Sequence, residues 1–307
     1  MSVSAFISAS KSAYEVAVSL TYRLLIRHGR RASQCWFTET IFPESSKSHV
    51  ILAVVTMAQI DKLGDRLRVN AVTETDFGLL NEYRSSFGPS YQEVMWVLRE
   101  RGRGHLEPTG RFPKTPGSIV AKLTREPSIR LTQIQDIAGC RIVVPSLQDQ
   151  LGRKMMIEVL FTDAAPRVVD RRDRPSHGYR AVHIVVLVRG RAVEIQLRTA
   201  LQHLWAELCE KLSDNFGADI KYGGGPEKIR RLLSTSSQRV AEIERAEEKL
   251  FATDAEIDEH PPATQTKWRS SISDIRQEIE RARADLMAKL RRTIALFQRG
   301  RLNGGIQ

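Results

Sequence analysis

The alternation of apolar and polar residues is clearest over residues 193–199, which predict a β-strand with one buried and one polar face. Successive side chains of a strand point to opposite faces. Three apolar side chains share one face: Val193, Ile195 and Leu197. Three polar side chains share the other: Glu194, Gln196 and Arg198. Burying such a polar row is costly unless it faces water or a polar ligand, so the strand carries either a solvated face or a binding site.

The same patterning predicts further elements along the chain. Helices are expected at about 76–87, 90–101, 116–123, 147–161, 199–212, 226–251 and 268–297, and strands at 140–145, 167–170, 180–188 and 191–198. Asp76 is the expected N-cap of the first helix, and Arg189-Gly190 the turn of a hairpin. Trp96 and Trp205 are expected in the core. Because strands and helices are intermixed, we predict an α/β (α+β) fold with a mixed sheet flanked by helices and a helical C-terminal extension.

Three regions are expected. Residues 1–56 are rich in Ser and poor in periodicity, and we expect a poorly ordered leader or upstream extension there, with Met57 as the candidate true start. Charged residues such as Glu15 interrupt the apolar part, which argues against a signal peptide. Residues 57–225 are expected to form the main domain and residues 226–300 a helical extension.

The charge balance indicates an anionic partner. The chain has 307 residues, a formal net charge of +11 and a pI near 9.8. Such basicity favours nucleotides or nucleic acid, and a membrane surface less. Cys35, Cys140 and Cys209 lie too far apart for a metal-ligand motif or a disulfide framework, so we expect a reducing, cytoplasmic location. A bilayer span would need roughly 18 consecutive apolar residues, and the chain has no such run.

Four segments in order carry residues suited to nucleotide chemistry. They are Gly110-Arg111 with Lys114, Ser118 and Lys122; residues 136–142; residues 178–183; and residues 194–199 followed by His203, Trp205, Ala206 and Glu207. Over roughly residues 72–225, this set resembles the synthetase domain of the RelA/SpoT family, the (p)ppGpp synthetases.

The resemblance implies a nucleotidyltransferase-like mixed sheet and transfer of the β,γ-diphosphate of ATP to the ribose 3′-hydroxyl of GDP or GTP. The products would be guanosine tetraphosphate and pentaphosphate, the alarmones of the stringent response. The chain contains no His-Asp dipeptide of the kind found in the hydrolase domain of long members. We therefore expect a small, synthetase-only member.

The resemblance also implies the catalytic and ATP-binding residues. Asp136 and Glu194 would hold Mg²⁺, and Glu194 would also accept the proton of the 3′-hydroxyl. The residues matched to ATP binding are Arg111, Lys114, Ser118, Lys122 and Arg141. Within that set, Arg111 and Arg141 would sandwich the adenine, and the lysines would meet phosphates. One extra residue around Pro113 leaves the path of the loop before Lys114 open.

The acceptor side is implied in the same way. Tyr179 would stack on the guanine. The residues expected to hydrogen-bond GDP or GTP are His183, Gln196, Arg198 and His203. The near-heptad apolar spacing of the C-terminal helices favours packing on the domain or pairing with a second copy, and we expect a homo-oligomer of unspecified size.

Other functions stay open at this point. The same chemistry could serve a toxin-type relative that pyrophosphorylates the 3′ end of tRNA, or a relative that makes adenosine alarmones. A catalytically dead binding module is a further alternative, and the presence of both Asp136 and Glu194 argues against it. The sequence does not specify the acceptor, the oligomeric state, or control by an allosteric nucleotide or an antitoxin.

Overall fold

The computed structural model describes residues 55–303, with side chains described to residue 298. The expected leader therefore lies outside the described residues, except for Val55 and Thr56, which precede the first helix. Cys35 also lies outside this range. Cys140 and Cys209 are buried free thiols.

The helices and strands follow one another in mixed order. The helices are α1 (Met57–Arg68), α2 (Glu74–Ser85), α3 (Gly88–Trp96), α4 (Pro116–Arg125), α5 (Leu147–Leu160), α6 (Ala200–Phe216), α7 (Glu227–Asp258) and α8 (Pro262–Asn303). The strands are β1 (Thr109–Gly110), β2 (Ala138–Val144), β3 (Arg167–Asp170), β4 (Val182–Val188) and β5 (Arg191–Thr199). A π-helical turn, Val97–Arg101, continues α3.

The five strands form one mixed sheet in the order β1-β2-β5-β4-β3. Strands β2 and β5 are parallel, and the other neighbours are antiparallel. The predicted hairpin joins β4 to β5 through Arg189 (φ 49°) and Gly190 (φ 72°), and two positive φ angles are typical of a tight two-residue hairpin turn. The predicted fold class, a mixed sheet flanked by helices with a helical C-terminal part, is confirmed.

Local capping sets the helix starts. Thr115 accepts a hydrogen bond from the Ser118 N–H, and Pro116 occupies the first turn of α4, as predicted. The prediction that Asp76 caps α2 is wrong by one turn. Thr73 is the N-cap, and Asp76 completes a capping box by accepting from the Thr73 N–H.

One face of the sheet is covered by helices. Val193, Ile195 and Leu197 are fully buried, in the same apolar cluster as Val94 of α3 and Ile157 of α5. The opposite face of β5 is left to the polar row that the sequence predicts. Trp96 does not join this core: the expectation is wrong, since its side chain is 53% exposed with Arg101 over the ring.

A second apolar cluster joins α6, α7 and α8. It contains Leu204 and Trp205 of α6, Leu233 of α7, and Leu290 and Ile294 of α8. Trp205 is buried as predicted. This cluster and the sheet belong to one compact unit, residues 55–247 with 275–303 among the described residues.

Residues 248–274 belong to a separate unit that holds the end of α7 and the start of α8. Within it, Arg269 forms an ion pair with Asp258, and the rings of His260 and Trp268 meet edge to face at 4.7 Å. Across residues 55–303, the helices are each too short or too polar to serve as a membrane span.

Candidate active site

The polar face of the sheet carries a row of functional side chains in register. Arg141 of β2 lies opposite Gln196 of β5, and Gln196 lies opposite His183 of β4. Glu194, two residues earlier on β5, lies opposite Gly139 of β2. The alternation in each strand turns these side chains away from the core, so residues distant in sequence share one surface.

Asp136 lies just before β2 and is paired with two lysines. Lys114 Nζ donates to Oδ2 at 2.7 Å, and Lys122 Nζ donates to Oδ1 at 2.9 Å. Burial raises the pKa of Asp136, but the two ammonium groups outweigh it and lower that pKa from 3.8 to about 2. Asp136 is therefore ionised at neutral pH, in a strongly cationic setting.

The loop around Pro113 brings Lys114 to this acid. The Arg111 N–H donates to the Gly139 carbonyl at 2.8 Å, and the Lys114 N–H donates to the Ile137 carbonyl at 2.9 Å. The chain thus follows the start of β2 on both sides of Pro113. The extra residue in the loop leaves Lys114 in contact with Asp136.

Glu194 is a buried base candidate with neighbours on both oxygens. His183 Nδ1 lies 2.8 Å from Oε1, and Gln196 Nε2 donates to Oε2 at 2.7 Å. Burial raises the pKa of Glu194, and the charge of Asp136 also raises it. The interactions with His183 and the bond from Gln196 outweigh both, so the pKa is lowered. Glu194 is therefore ionised at neutral pH.

Five side chains close a ring of hydrogen bonds around Glu194. From Glu194 the ring passes to His183, whose Nε2 lies 3.1 Å from the Tyr179 hydroxyl. Arg198 Nη2 donates to that hydroxyl at 2.8 Å and to Gln196 Oε1 at 2.9 Å, and Gln196 returns to Glu194. Since the Tyr179 oxygen accepts from Arg198, its own hydrogen can go to His183 Nε2. An ionised carboxylate can only accept, so His183 donates its Nδ1–H to Glu194.

Three guanidinium groups lie close together here: Arg198, which belongs to the ring, and Arg111 and Arg141 beside it. Arg111 Nη1 donates to Gln196 Oε1 at 3.2 Å, and burial together with the charges of Arg198 and Arg111 lowers the pKa of Arg141. Within residues 55–303, Arg141 Nε and Arg198 Nε and Nη1 are buried without a protein hydrogen-bond partner. Buried unpaired donors of like charge fit an anionic ligand.

Helix α6 places acids behind the arginines. His203 Nδ1 lies 3.5 Å from Arg141 Nη1, and Glu207 Oε1 lies 3.6 Å from His203 Nε2. Glu210 Oε1 lies 3.8 Å from Arg111 Nη2. Glu210 was not among the predicted site residues, although its spacing of seven from His203 puts both on one helix face.

Ser118 and Tyr179 need separate description. Ser118 contacts Thr115 in the N-cap of α4, one turn before Lys122 on the same helix. Tyr179 lies in the turn before β4, and one face of its ring has the Arg198 guanidinium 5.0 Å from its centroid. The predicted stacking role would therefore fall to the other ring face.

The donor chemistry fits magnesium. Among residues 55–303, no cluster of three or more His, Cys, Asp or Glu side chains could hold a metal alone. Mg²⁺ is commonly bound by one or two carboxylates together with substrate phosphates. Asp136 and Glu194, both ionised at neutral pH, are the two carboxylates that the sequence predicts for this role.

Comparison with known proteins identifies the class. The family model described as "Region found in RelA / SpoT proteins" matches residues 110–214. The GTP pyrophosphokinase YjbM of Bacillus subtilis is 32% identical over 177 residues, which cover 53% of this chain and 78% of that protein. The chain belongs to the RelA/SpoT family, as the motifs predict.

Two further relatives are similar over parts of the chain. An uncharacterized protein of Mycobacterium tuberculosis is 40% identical over 157 residues, 46% of this chain and 56% of that protein. The match thus spans little more than half of that relative. The structure of small alarmone synthetase 1 from Bacillus subtilis bound to its product pppGpp shares 24% identity. That match covers 59% of this chain and 98% of that one, with a TM-score of 0.44.

Proposed function

We propose that this chain is an alarmone synthetase that transfers the β,γ-diphosphate of ATP to the 3′-hydroxyl of GDP or GTP and releases AMP. The observation that carries the proposal is the placement of Asp136 just before β2 and of Glu194 on β5, the strand that pairs with β2. Lysines flank one acid, and a cluster of guanidinium groups shares the face of the other. Family membership supports the same chemistry.

The reaction joins the acceptor 3′-oxygen to the β-phosphorus of ATP and breaks the bond from that phosphorus to the α,β-bridging oxygen. Glu194 accepts the proton of the 3′-hydroxyl. Lys114 and Lys122, which pair with Asp136, are assigned to the polyphosphate of ATP. A bound magnesium ion supplies charge neutralisation on the phosphates, and Asp136 and Glu194 would hold it.

The arginines divide the substrates between two sides of the site. Arg111 and Arg141 lie at the β1–β2 side and are assigned to the adenine of ATP, because a flat guanidinium can stack on a base. Tyr179, His183, Gln196 and Arg198 are assigned to the acceptor. Because these four already bond to one another and to Glu194, the acceptor must replace some of those bonds as it enters.

The acceptor is identified by incubating the protein with β-labelled ATP, Mg²⁺ and one acceptor at a time: GDP, GTP, ATP or tRNA. Thin-layer chromatography, and gel analysis for tRNA, then follows the label. Label in GDP or GTP supports the proposal, and label only in tRNA or only in adenosine nucleotides overturns the guanosine assignment. Glu194→Gln is the inactive reference, and Glu93→Gln, which changes a 41% exposed side chain paired with Arg189, is the matched control. Cytoplasmic location and association through the C-terminal helices stay predictions.

A further inference from the structure

One face of helix α7 contacts elements that carry acceptor-side residues. Leu233, Ser237 and Glu244 follow one another at helical spacings of four and seven, so they share a face. The Leu233 carbonyl accepts a hydrogen bond at 2.9 Å from Trp205 Nε1 of α6. The start of this face of α7 therefore packs against α6, the helix that also carries His203.

Ser237 holds the turn that precedes Tyr179. Its hydroxyl donates to the Gly178 carbonyl at 2.7 Å, and its side chain is buried. Gly178 has φ 89°, and a Cβ there would lie 2.9 Å from Trp205 and 3.2 Å from Ser237. The turn can therefore pack against α6 and α7 only with glycine at position 178. Tyr179 follows directly and contacts Arg198.

Glu244 holds the junction between β5 and α6. It accepts a hydrogen bond from the Thr199 hydroxyl and another at 3.1 Å from Gln202 Nε2. Gln202 in turn accepts at 2.9 Å from Gln150 Nε2, which also donates at 2.8 Å to the Leu197 carbonyl. All four side chains of this network are at most 3% exposed. The hydrogen bonds of this network run from Gln150 to Gln202 to Glu244. A carboxylate can end such a series because both of its oxygens accept hydrogen bonds.

The surroundings of Glu244 disfavour its charge. Burial, the largest cause, and the charge of Glu247 raise the pKa of Glu244, and the hydrogen bonds from Thr199 and Gln202 and the charge of Arg180 offset this only in part. Glu247 is itself paired with Arg283 of α8 at 2.6 Å. Burying a carboxylate in such a setting costs stability. What this carboxylate stabilises is the end of β5.

The ATP side is held differently. The hydrogen bonds that Asp136 and Lys114 make come from the loop before β2, from α4 and from Arg84 of α2. Arg111 is bonded to Gln196 and paired with Glu210. Among the described contacts of these three residues, α7 supplies none.

We propose that α7 is part of the acceptor-binding half of the site and that Ser237 and Glu244 are positioning residues for it. Ser237 fixes the Gly178–Tyr179 turn, and Glu244 fixes the end of the strand that carries Gln196 and Arg198. The inference rests on the proposed function for the identity of the acceptor. It predicts that changes on this face of α7 weaken acceptor use more than ATP use.

The decisive variant is Ser237→Ala, with Ser236→Ala as its matched control. Ser236 is also buried, but its hydroxyl donates to Leu232 and Leu233 within its own helix. Hydrogen exchange followed by mass spectrometry reports on the segment 176–183 without requiring activity. We expect faster exchange there in Ser237→Ala than in wild type and Ser236→Ala. Unchanged exchange overturns the inference.

Steady-state kinetics provide the second readout. Loss of one neutral hydrogen bond should raise KM for GDP roughly three- to tenfold, while KM for ATP changes less. Glu244→Gln should act in the same direction, with Glu242→Gln, an exposed acid paired with Arg239, as its control. Equal increases of both KM values would overturn the acceptor-side assignment. A wild-type protein that transfers nothing to GDP or GTP would overturn the proposed function, while the exchange experiment would still decide whether Ser237 anchors the turn.

Discussion

Replacing Asp136 by asparagine should cost stability as well as activity. The change removes the only acid bonded to Lys114 and Lys122 among the described residues, and both ammonium groups are about one-fifth exposed. Two partly buried cations would then face each other without a counter-charge. Many enzymes keep catalytic acids at the expense of stability, so a variant that is more stable than wild type is the competing expectation.

The magnitude follows from the pKa. Asp136 titrates near its ordinary 3.8 in the unfolded chain and at about 2 in the folded protein. At 1.36 kcal/mol per pK unit, this difference corresponds to about 2 kcal/mol at neutral pH. Because the folded pKa is the lower one, the stabilisation is complete above pH 3.8 and is lost as the pH falls through 2. Roughly half should remain at pH 3.

Urea unfolding of wild type and Asp136→Asn tests this, at pH 7 and at successive values down to pH 3. We expect the variant to be about 2 kcal/mol less stable at pH 7, with an unchanged m-value and a gap that narrows toward pH 3. Asp65→Asn is the control, because Asp65 is 69% exposed beside Arg68 and should contribute at most about 0.5 kcal/mol. A variant as stable as wild type at pH 7, or a gap independent of pH, would refute the reasoning.

Four further outcomes are expected. Glu194→Gln should lower transfer at least about a hundredfold with an unchanged circular dichroism spectrum, and near-wild-type turnover would remove Glu194 as the base. Tyr179→Phe should raise KM for GDP roughly three- to tenfold, because Arg198 and His183 lose the hydroxyl between them, and an equal rise for ATP would contradict this. The acid limb of kcat/KM should lie below pH 4.5, since the pKa of Glu194 is lowered and the base works deprotonated; a limb above pH 4.5 excludes this assignment. Chelation of divalent cations should abolish transfer and added Mg²⁺ restore it, whereas full activity in excess chelator would refute the metal requirement.

Much of the sheet could be predicted because its signals are local. The period-two alternation of residues 193–199 assigned the faces of β5, and Arg189-Gly190 marked the hairpin. Helix α1 was missed, although Ile60, Leu63 and Leu67 have helical spacing after a Thr56 capping box. Trp96 was assigned to the core because it is large and apolar, but the buried positions of its helix are taken by Val94 and Met95.

The residues of the candidate site could be named from the sequence, but their arrangement could not. Motifs selected the acids and the residues around them, yet the ring through His183 and Tyr179 depends on the register of β4 against β5. Strand register and helix packing are tertiary properties that local patterning does not fix. The same holds for Glu244, which meets Thr199 across 45 positions and shows in the sequence only as one of several charged residues of its helix.

Gly139 links the geometry of the candidate site to the spacing of two backbone strands. It lies opposite Glu194, and a Cβ at this position would be 3.0 Å from the Glu194 carbonyl oxygen. A single methyl group would therefore act as a wedge, pushing the two strands apart by a few tenths of an ångström. Reaction rates respond steeply to sub-ångström misplacement of reacting groups. The spacing of Asp136 and Glu194 thus depends on a contact between two main chains. Lengthening or shortening either acidic side chain could not restore that spacing once the contact is lost.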